Sequence, residues 1–259
     1  MKILCIGDLV GNNGLNKLKK DLKTIQEAEN IDFTIVNGEN VASGMGMKTS
    51  DYNELCKLNV DVITMGNHTW GKLDIFSFIN ENNIVRPANY SRGVPGHGYT
   101  IIEKNGKKIA VINLIGRTDV PVQSENPFLC VDRILEKIKE NVDIIIVDFH
   151  AEATAEKIAM GYYLDGRVNA VFGTHTHVQT ADEKILQKGT AYITDIGMTG
   201  PKDSVIGMDK DISIKRFVTS LPERYKVAEG DSILNGIVIE IDDKNCKTMS
   251  IYRIKKKVV

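Results

Sequence analysis

The segment "VFGTHTHVQT" places His175 and His177 one residue apart, after the apolar pair Val171 and Phe172 has given way to Gly173 and Thr174. The chain has only 5 histidines, so this pair concentrates metal-ligating and proton-transferring capacity in one loop. On an extended segment, positions two apart face the same way. In a sharp loop they reach toward neighbouring ions instead. Gly173 permits close backbone approach, and Thr174 and Thr176 offer local hydrogen bonds. Related chemistry follows other apolar runs. Asp8 follows "KILCIG", Glu39 and Asn40 follow "FTIVNG", Asn67 and His68 follow "VITMG", and His150 and Glu152 follow "IIIVDF". Only His97, in "RGVPGHGY", stands apart and reads as a plain loop or surface residue.

Carboxylate oxygens, neutral imidazoles and an amide oxygen together form a mixed nitrogen and oxygen ligand set, with no thiolate implied. A carboxylate can bridge two divalent ions. Two such ions about 3.5–4 Å apart can activate water and stabilise a displaced oxygen. Each residue also has a bland role when taken alone. Asp8 suits a helix cap or a turn, Glu39 and Asn40 are ordinary turn residues, and His150 suits a strand end. Their joint placement is what favours a shared site.

Such a site needs elements that bring distant segments to one rim. "KILCIG", "DFTIVNGEN" and "VDVITMGNHTWG" read as strands, with helices over Leu15–Ala28 and Ser50–Leu58 between them. A further helix is expected over Lys72–Glu81, then a short strand at Ile84–Arg86. This order favours an α/β layer architecture with parallel pairing, in which loops leaving the carboxyl ends of strands converge. Asn105-Gly106 marks a hairpin within "GYTIIEKNGKKIAVINLIG". Helices are expected near Val131–Lys139 and Ala155–Leu164. The tail, with "GTAYITDIG", "DISIKRF" and the stretch from Asn235 to Lys256, reads as strands and turns that build a second sheet on the first, with antiparallel pairing at the end. No linker or repeat divides the chain, so a single domain over 1–259 is expected.

Composition narrows the partners. Lys+Arg 33 against Asp+Glu 34 gives a formal net charge of -1, which argues against a duplex-coating surface. The run Lys255–Lys257 reads as a solvated chain end. The cysteines Cys5, Cys56, Cys130 and Cys246 show no CxxC spacing, so disulfides are not needed and a reducing compartment fits. Gly7 and Asp8 interrupt the apolar N-terminus too early for a signal peptide. No apolar run approaches about 20 residues, so no spanning helix is expected and the chain reads as cytoplasmic.

"GD" at 7–8, "NGEN" at 37–40, "GNHTW" at 66–70, "FHAE" at 149–152 and "GTHTH" at 173–177 resemble the calcineurin-like metallophosphoesterase superfamily. "TDIGMTGPKDSVIG" at 194–207 narrows the resemblance to the YmdB-like bacterial phosphodiesterases. The resemblance spans essentially the whole chain. It implies an α/β fold, a double β-sheet sandwich flanked by helices in four layers, with two metal ions at the strand ends. By resemblance, Asp8 and His177 hold the first ion, Asn67, His150 and His175 hold the second, and Glu39 bridges them. Asn40 supports the site or contacts phosphate. His68 stands beside the phosphate as the catalytic histidine. The chain departs from the broad superfamily in two places. Asp8-Leu9-Val10 lacks the histidine of the usual Asp-x-His, and Glu39 stands where an aspartate is usual. Both departures agree with the YmdB-like branch, and they leave the first ion's affinity and identity open.

The resemblance implies hydrolysis of cyclic nucleotides, especially 2′,3′-cyclic nucleoside monophosphates to 3′-nucleotides. Metal-bound hydroxide would attack phosphorus in line, and His68 would protonate the leaving oxygen. The donor set favours Fe or Mn, with Zn also accepted and Mg less natural. The expected partner is a small phosphodiester. Nucleic acid is not expected, because no aromatic and basic track is visible in the sequence. A membrane partner is not expected either, and a small homo-oligomer is expected by analogy. Trp70 reads as either a base-stacking or a packing residue, and Lys202 as a loop cation that could approach an anion. A phosphomonoesterase or nuclease with the same centre, or a non-catalytic metal-stabilised regulatory or scaffold protein, are the alternative readings.

Overall fold

In the computed structural model, residues 1–256 are described, with side chains through Ile254. The basic run 255–257 therefore lies outside the described side chains. Short apolar runs dominate, and two largely parallel sheets cover one another. In the first sheet β1 (Lys2–Ile6), β3 (Phe33–Asn37), β4 (Val62–Thr64) and β5 (Ile84–Val85) run parallel in that order. β13 (Ser232–Ile241) pairs antiparallel with β1, and β14 (Thr248–Lys256) pairs antiparallel with β13. The short β2 (Asp8–Leu9) and β12 (Met198–Pro201) extend this sheet beyond the end of β1. The second sheet contains β6 (Tyr99–Lys104), β7 (Lys107–Ile115), β8 (Ile144–His150), β9 (Ala170–Thr174), β11 (Ala191–Ile193) and β10 (Lys184–Ile185), in that spatial order. From β7 to β11 its pairing is parallel, with antiparallel strands at both edges.

The side-chain alternation of the strands builds three apolar layers. Ile3, Cys5, Phe33 and Ile35 meet Ile109, Val111, Ile146 and Phe172 between the sheets. Leu4, Ile6, Val36 and Ile63 face the other way, onto Leu15, Leu18, Leu22 and Ile25 of α1 (Gly11–Glu29) and Leu55 of α2 (Thr49–Lys57). Ile112, Val147, Phe149 and Val171 cover Val131, Ile134 and Leu135 of α3 (Pro127–Ile138), and Met160 and Leu164 of α4 (Thr154–Leu164). The result is helix, sheet, sheet, helix. All 7 residues of β8 are buried, as expected for a central parallel strand covered on both faces. Among the described residues no helix is long and apolar enough to cross a membrane.

Three expectations require correction. Only a 3-10 turn, Leu73–Ser77, forms within Lys72–Glu81. Ile75, Phe78 and Ile79 reach the core, whereas Leu73 and Phe76 are exposed, so the apolar face is too short to sustain a longer helix. "DISIKRF" is α5 (Lys210–Thr219), not a strand. Asp209 caps it by accepting from the Ile212 N–H at 2.9 Å, and the apparent alternation leaves Ile214 exposed. The second sheet is built mainly from the middle of the chain. The tail strands β12 to β14 join the first sheet, where β13 satisfies the open edge of β1. Two helices also begin earlier than their apolar periodicity: α1 at Gly11, and α3 at Pro127, after the Asn126 cap.

Candidate metal centre

The carboxyl ends of β1, β3 and β4 from one sheet, and β8 and β9 from the other, meet at one rim. Asp8, Glu39 and His150 are fully buried there. The Nε2 of His150 lies 2.8 Å from Asn67 Oδ1, 3.0 Å from His175 Nδ1 and 3.2 Å from Glu39 Oε1. Glu39, His150 and His175 form a group whose ligand atoms all lie within 4.8 Å of one another. One proton cannot satisfy this many lone pairs at once, whereas a multivalent cation can. Asp8 Oδ1 is buried without a hydrogen-bond partner, 3.9 Å from both His177 Nε2 and His150 Nδ1. An orphaned buried carboxylate oxygen is costly unless a cation meets it. These residues fit a metal.

Electrostatics agree. Burial pushes Asp8 above its ordinary value, against the pull of His177 and His150. Burial also acts to raise Glu39, but His150 and then His68 outweigh it and hold the carboxyl well below the usual range. Burial disfavours charge on His150, yet Glu39, Asp8 and Asp148 prevail and raise it to about 9. Burial, then the charge on His150, lowers His175 to about 3. Without metal, the cluster therefore holds a proton at His150 as its central positive charge.

Hydrogen bonds fix the ring orientations. The Oγ1 of Thr174 donates to Asp148 at 2.7 Å and accepts from His150 Nδ1 at 2.9 Å, which leaves His150 Nε2 for the cluster. Asp148, fully buried in β8, also accepts from Thr64 and from Asn37 of the other sheet. His177 Nδ1 donates to the Ile206 carbonyl at 2.8 Å. His175 Nε2 lies 3.0 Å from Glu152. His68 Nδ1 donates to Asn40 Oδ1 at 2.7 Å, and the His68 N–H donates to Glu39 Oε2 at 3.0 Å. Asn40 Nδ2 reaches Glu39 Oε1 at 2.9 Å and His177 Nε2 at 3.1 Å.

His175 and His177 have φ of 102° and 66°, a region costly for side chains other than glycine. Thr176 between them is tied down. Its N–H and hydroxyl donate to Asp195 Oδ2 at 3.1 and 2.7 Å, and that oxygen also accepts from buried Lys157 Nζ at 2.6 Å. Gly173 is required by close approach, since a Cβ there would lie 1.9 Å from the Thr194 carbonyl oxygen.

The structure brings together all the residues singled out by chemistry: Asp8, Glu39, Asn40, Asn67, His68, His150, His175 and His177. Val10, at the position of the missing histidine, is buried against Gly200 and Gly207. His97 is exposed and lies by Asn80, away from the cluster. Trp70 packs on Phe76 at 5.5 Å and Tyr90 at 6.1 Å, and neither Trp70 nor Lys202 lines the cleft above the site. Sequence reasoning missed Asp148, Lys157 and Asp195. Asp195 lies inside "TDIGMTG", a usable signal, whereas a buried helical lysine has none.

A four-layer sandwich with this ligand cluster at its strand ends defines a calcineurin-like metallophosphoesterase. Residues 4–254 match the family described as YmdB-like protein, and the chain belongs to that family. It is 52% identical over 255 residues to the 2′,3′-cyclic-nucleotide 2′-phosphodiesterase of Bacillus subtilis (strain 168), covering 98% of this chain and 96% of the relative. A solved protein from Thermus thermophilus, described as hypothetical, superposes with TM-score 0.94 at 36% identity, covering 99% of both chains. A solved Mycoplasma pneumoniae protein, described as a novel phosphatase, gives TM-score 0.94 at 39% identity, covering 99% of this chain and 93% of that one.

Proposed function

We propose that this chain is a metal-dependent phosphodiesterase that hydrolyses 2′,3′-cyclic nucleotides to 3′-nucleotides. The observation that carries the reading is the convergence of Glu39, His150 and His175 beside the orphaned Asp8 oxygen, under an open cleft. The name of the Bacillus subtilis relative supports the substrate and the bond cleaved. In this proposal Asp8 and His177 would hold one ion, Asn67, His150 and His175 would hold a second, and Glu39 would serve both. Fe and Mn suit the donors, with Zn as an accepted substitute. When bound, the metal supplies charge neutralisation at the phosphate oxygens and a lowered pKa for the attacking water.

The chain's own groups do the rest. His68 is about a third exposed, at 31%, and faces the cleft. With Nδ1 committed to Asn40, its Nε2 is the atom left to protonate the departing 2′-oxygen. Asn40 thus fixes the acid while also bracing Glu39. Asn12 and Asn13, in the first turn of α1, line the cleft where a helix N-terminus favours phosphate.

The test is an assay of metal-loaded protein on 2′,3′-cyclic AMP and on a phosphomonoester, with metal content measured before and after His68→Ala. Turnover of the cyclic diester that falls in the variant, at unchanged metal content, is expected. Preference for the monoester would favour phosphatase activity, the reading suggested by the description of the Mycoplasma pneumoniae relative. Turnover unaffected by His68→Ala would remove its role. No turnover at all would favour a regulatory or scaffold role. The proposal extends to a single cytoplasmic domain, in keeping with the four free cysteines among the described residues. A homo-oligomer is included too, since Phe217 and Val218 are exposed on α5, and light scattering tests it.

A further inference from the structure

The cleft over the metal centre is larger than the reacting group needs. It encloses about 1190 Å³. Pockets for one small ligand usually span roughly 300–1,000 Å³. One wall comes from the segment between α5 and β13, where Arg224, Tyr225 and Lys226 line the cleft. The hydrolytic reading above uses none of the three.

Tyr225 is half exposed, at 47%. The Arg216 guanidinium lies 4.2 Å from its ring centroid, and Arg216 is itself held by the Glu223 carbonyl. A shallow depression bounded by Arg216, Leu221, Pro222 and Tyr225 continues the surface past the ring. The segment is anchored on its other side. The Asp209 N–H donates to the Lys226 carbonyl at 2.9 Å, and Asn13 Nδ2 donates to the Ala228 carbonyl at 2.8 Å. An aromatic ring flanked in sequence by two cations, fixed on a cleft wall, has the chemistry of a platform for single-stranded nucleic acid. The triplet Arg224-Tyr225-Lys226 is contiguous in the sequence, and the fold brings it to the wall of the cleft.

We propose that the cleft takes the 3′ end of a short RNA whose last nucleotide carries the 2′,3′-cyclic phosphate. Tyr225 stacks a base, and Arg224 and Lys226 meet the phosphate that precedes the terminal nucleotide. This rests on the reading of the site as a cyclic phosphodiesterase. Such ends are supplied by RNA cleavage in which a ribose 2′-oxygen bonds to the adjacent phosphorus, the bond from phosphorus to the 5′-oxygen breaks, and the 2′-hydroxyl proton passes to that leaving oxygen. At this site the oxygen of water bonds to phosphorus, the bond to the 2′-oxygen breaks, and that oxygen is protonated. The product is a 3′-phosphate with a free 2′-hydroxyl.

The experiment compares kcat and KM of the metal-loaded full chain on 2′,3′-cyclic AMP and on the adenine dinucleotide and tetranucleotide ending in the same cyclic phosphate. One stacked base predicts a kcat/KM about tenfold higher for the dinucleotide, expressed mainly in KM and reduced by added salt. Tyr225→Phe keeps the preference. Tyr225→Ala, and separately the pair Arg224→Ala with Lys226→Ala, bring the dinucleotide-to-mononucleotide ratio toward one. Equal kcat/KM for the three substrates in the unmodified protein overturns this proposal while leaving the cyclic phosphodiesterase reading intact. A preference unchanged in both Tyr225→Ala and the double variant overturns the assigned platform. Turnover of none of the substrates overturns both readings.

Discussion

The ion pair beneath the histidine loop offers a quantitative test. Lys157 and Asp195 are both essentially buried, with side chains 1% exposed and 2.6 Å between Nζ and Oδ2. Replacing Lys157 by Met keeps most of the side-chain volume but leaves the Asp195 charge without its partner. Removing one member of a buried pair costs about 3–5 kcal/mol. At about 2–4 °C per kcal/mol for a chain near this size, Tm should fall by about 6–20 °C. Asp195 keeps the Thr176 and Gly197 donors, which favours the low end. Adding Asp195→Asn removes the stranded charge, so the double variant should be less destabilised than the sum of the singles, by about 0.5–3 kcal/mol of coupling. Because Asp195 holds Thr176 between two histidines in left-handed backbone, Asp195→Asn should also weaken metal binding about 10–100-fold. Thermal melts with and without chelator, and metal titrations, measure both effects. A Tm loss below about 3 °C in Lys157→Met, on the same scale, with unchanged metal affinity in Asp195→Asn, would refute the view that this pair supports the loop.

Gly66→Ala would place a Cβ 2.3 Å from Glu39 Oε2 and 2.4 Å from His150 Nε2, so it should abolish metal retention, read by elemental analysis of folded protein. Thr174→Val deprives His150 Nδ1 of its acceptor and should weaken metal binding about 10–100-fold in a competition titration, with the fold intact by circular dichroism. His68→Ala should lower kcat about 10²–10⁴-fold at constant metal content, measured with the cyclic substrate. In chelator-treated protein the His150 contribution is complete below its ordinary value of 6.5 and disappears as pH rises through about 9. Glu39, held low, contributes above its ordinary 4.5 and loses that contribution as pH falls through its depressed folded value. Metal-free Tm should therefore drop between about pH 6.5 and 9, with the drop flattened in His150→Gln, as melts across that window would show.

The clustering of the candidate residues was legible because chemistry-bearing side chains stand immediately after apolar strands, and parallel strands bring their carboxyl ends together. Spacing could not reveal which strand neighbours which. β13, near the chain's end, pairs with β1, a contact governed by edge satisfaction rather than local pattern. The error at "DISIKRF" has a local cause. Ile212, Ile214 and the intervening polar residues mimic a period of two, and the Asp209 cap is a weaker signal than the alternation. Lys157 was illegible for the opposite reason: a lysine on a helix ordinarily faces solvent, and only the fold places Asp195 opposite it. Tyr225 and its flanking cations lie in an irregular segment without periodicity, so their approach to the cleft depends on the anchors at Lys226 and Ala228.

The location of the centre at the seam between sheets explains why its geometry depends on the core. Asp8, Glu39 and Asn67 arrive from one sheet, and His150, His175 and His177 from the other. A small sliding of one sheet past the other would separate Glu39 from His150, now 3.2 Å apart. Two features resist this. Phe33 and Ile35 interlock with Ile146 and Phe172 across the seam, and close-packed cores do not slide without opening voids. Asp148 stitches the sheets near the rim by accepting from Thr64 and Asn37 of one sheet and from Thr174 of its own. That carboxylate also reaches His150 through Thr174, so the contact that locks the sheets together also sets the orientation of a ligand. Packing and site geometry are therefore coupled, and a buried acid in the middle of an apolar strand supports the site.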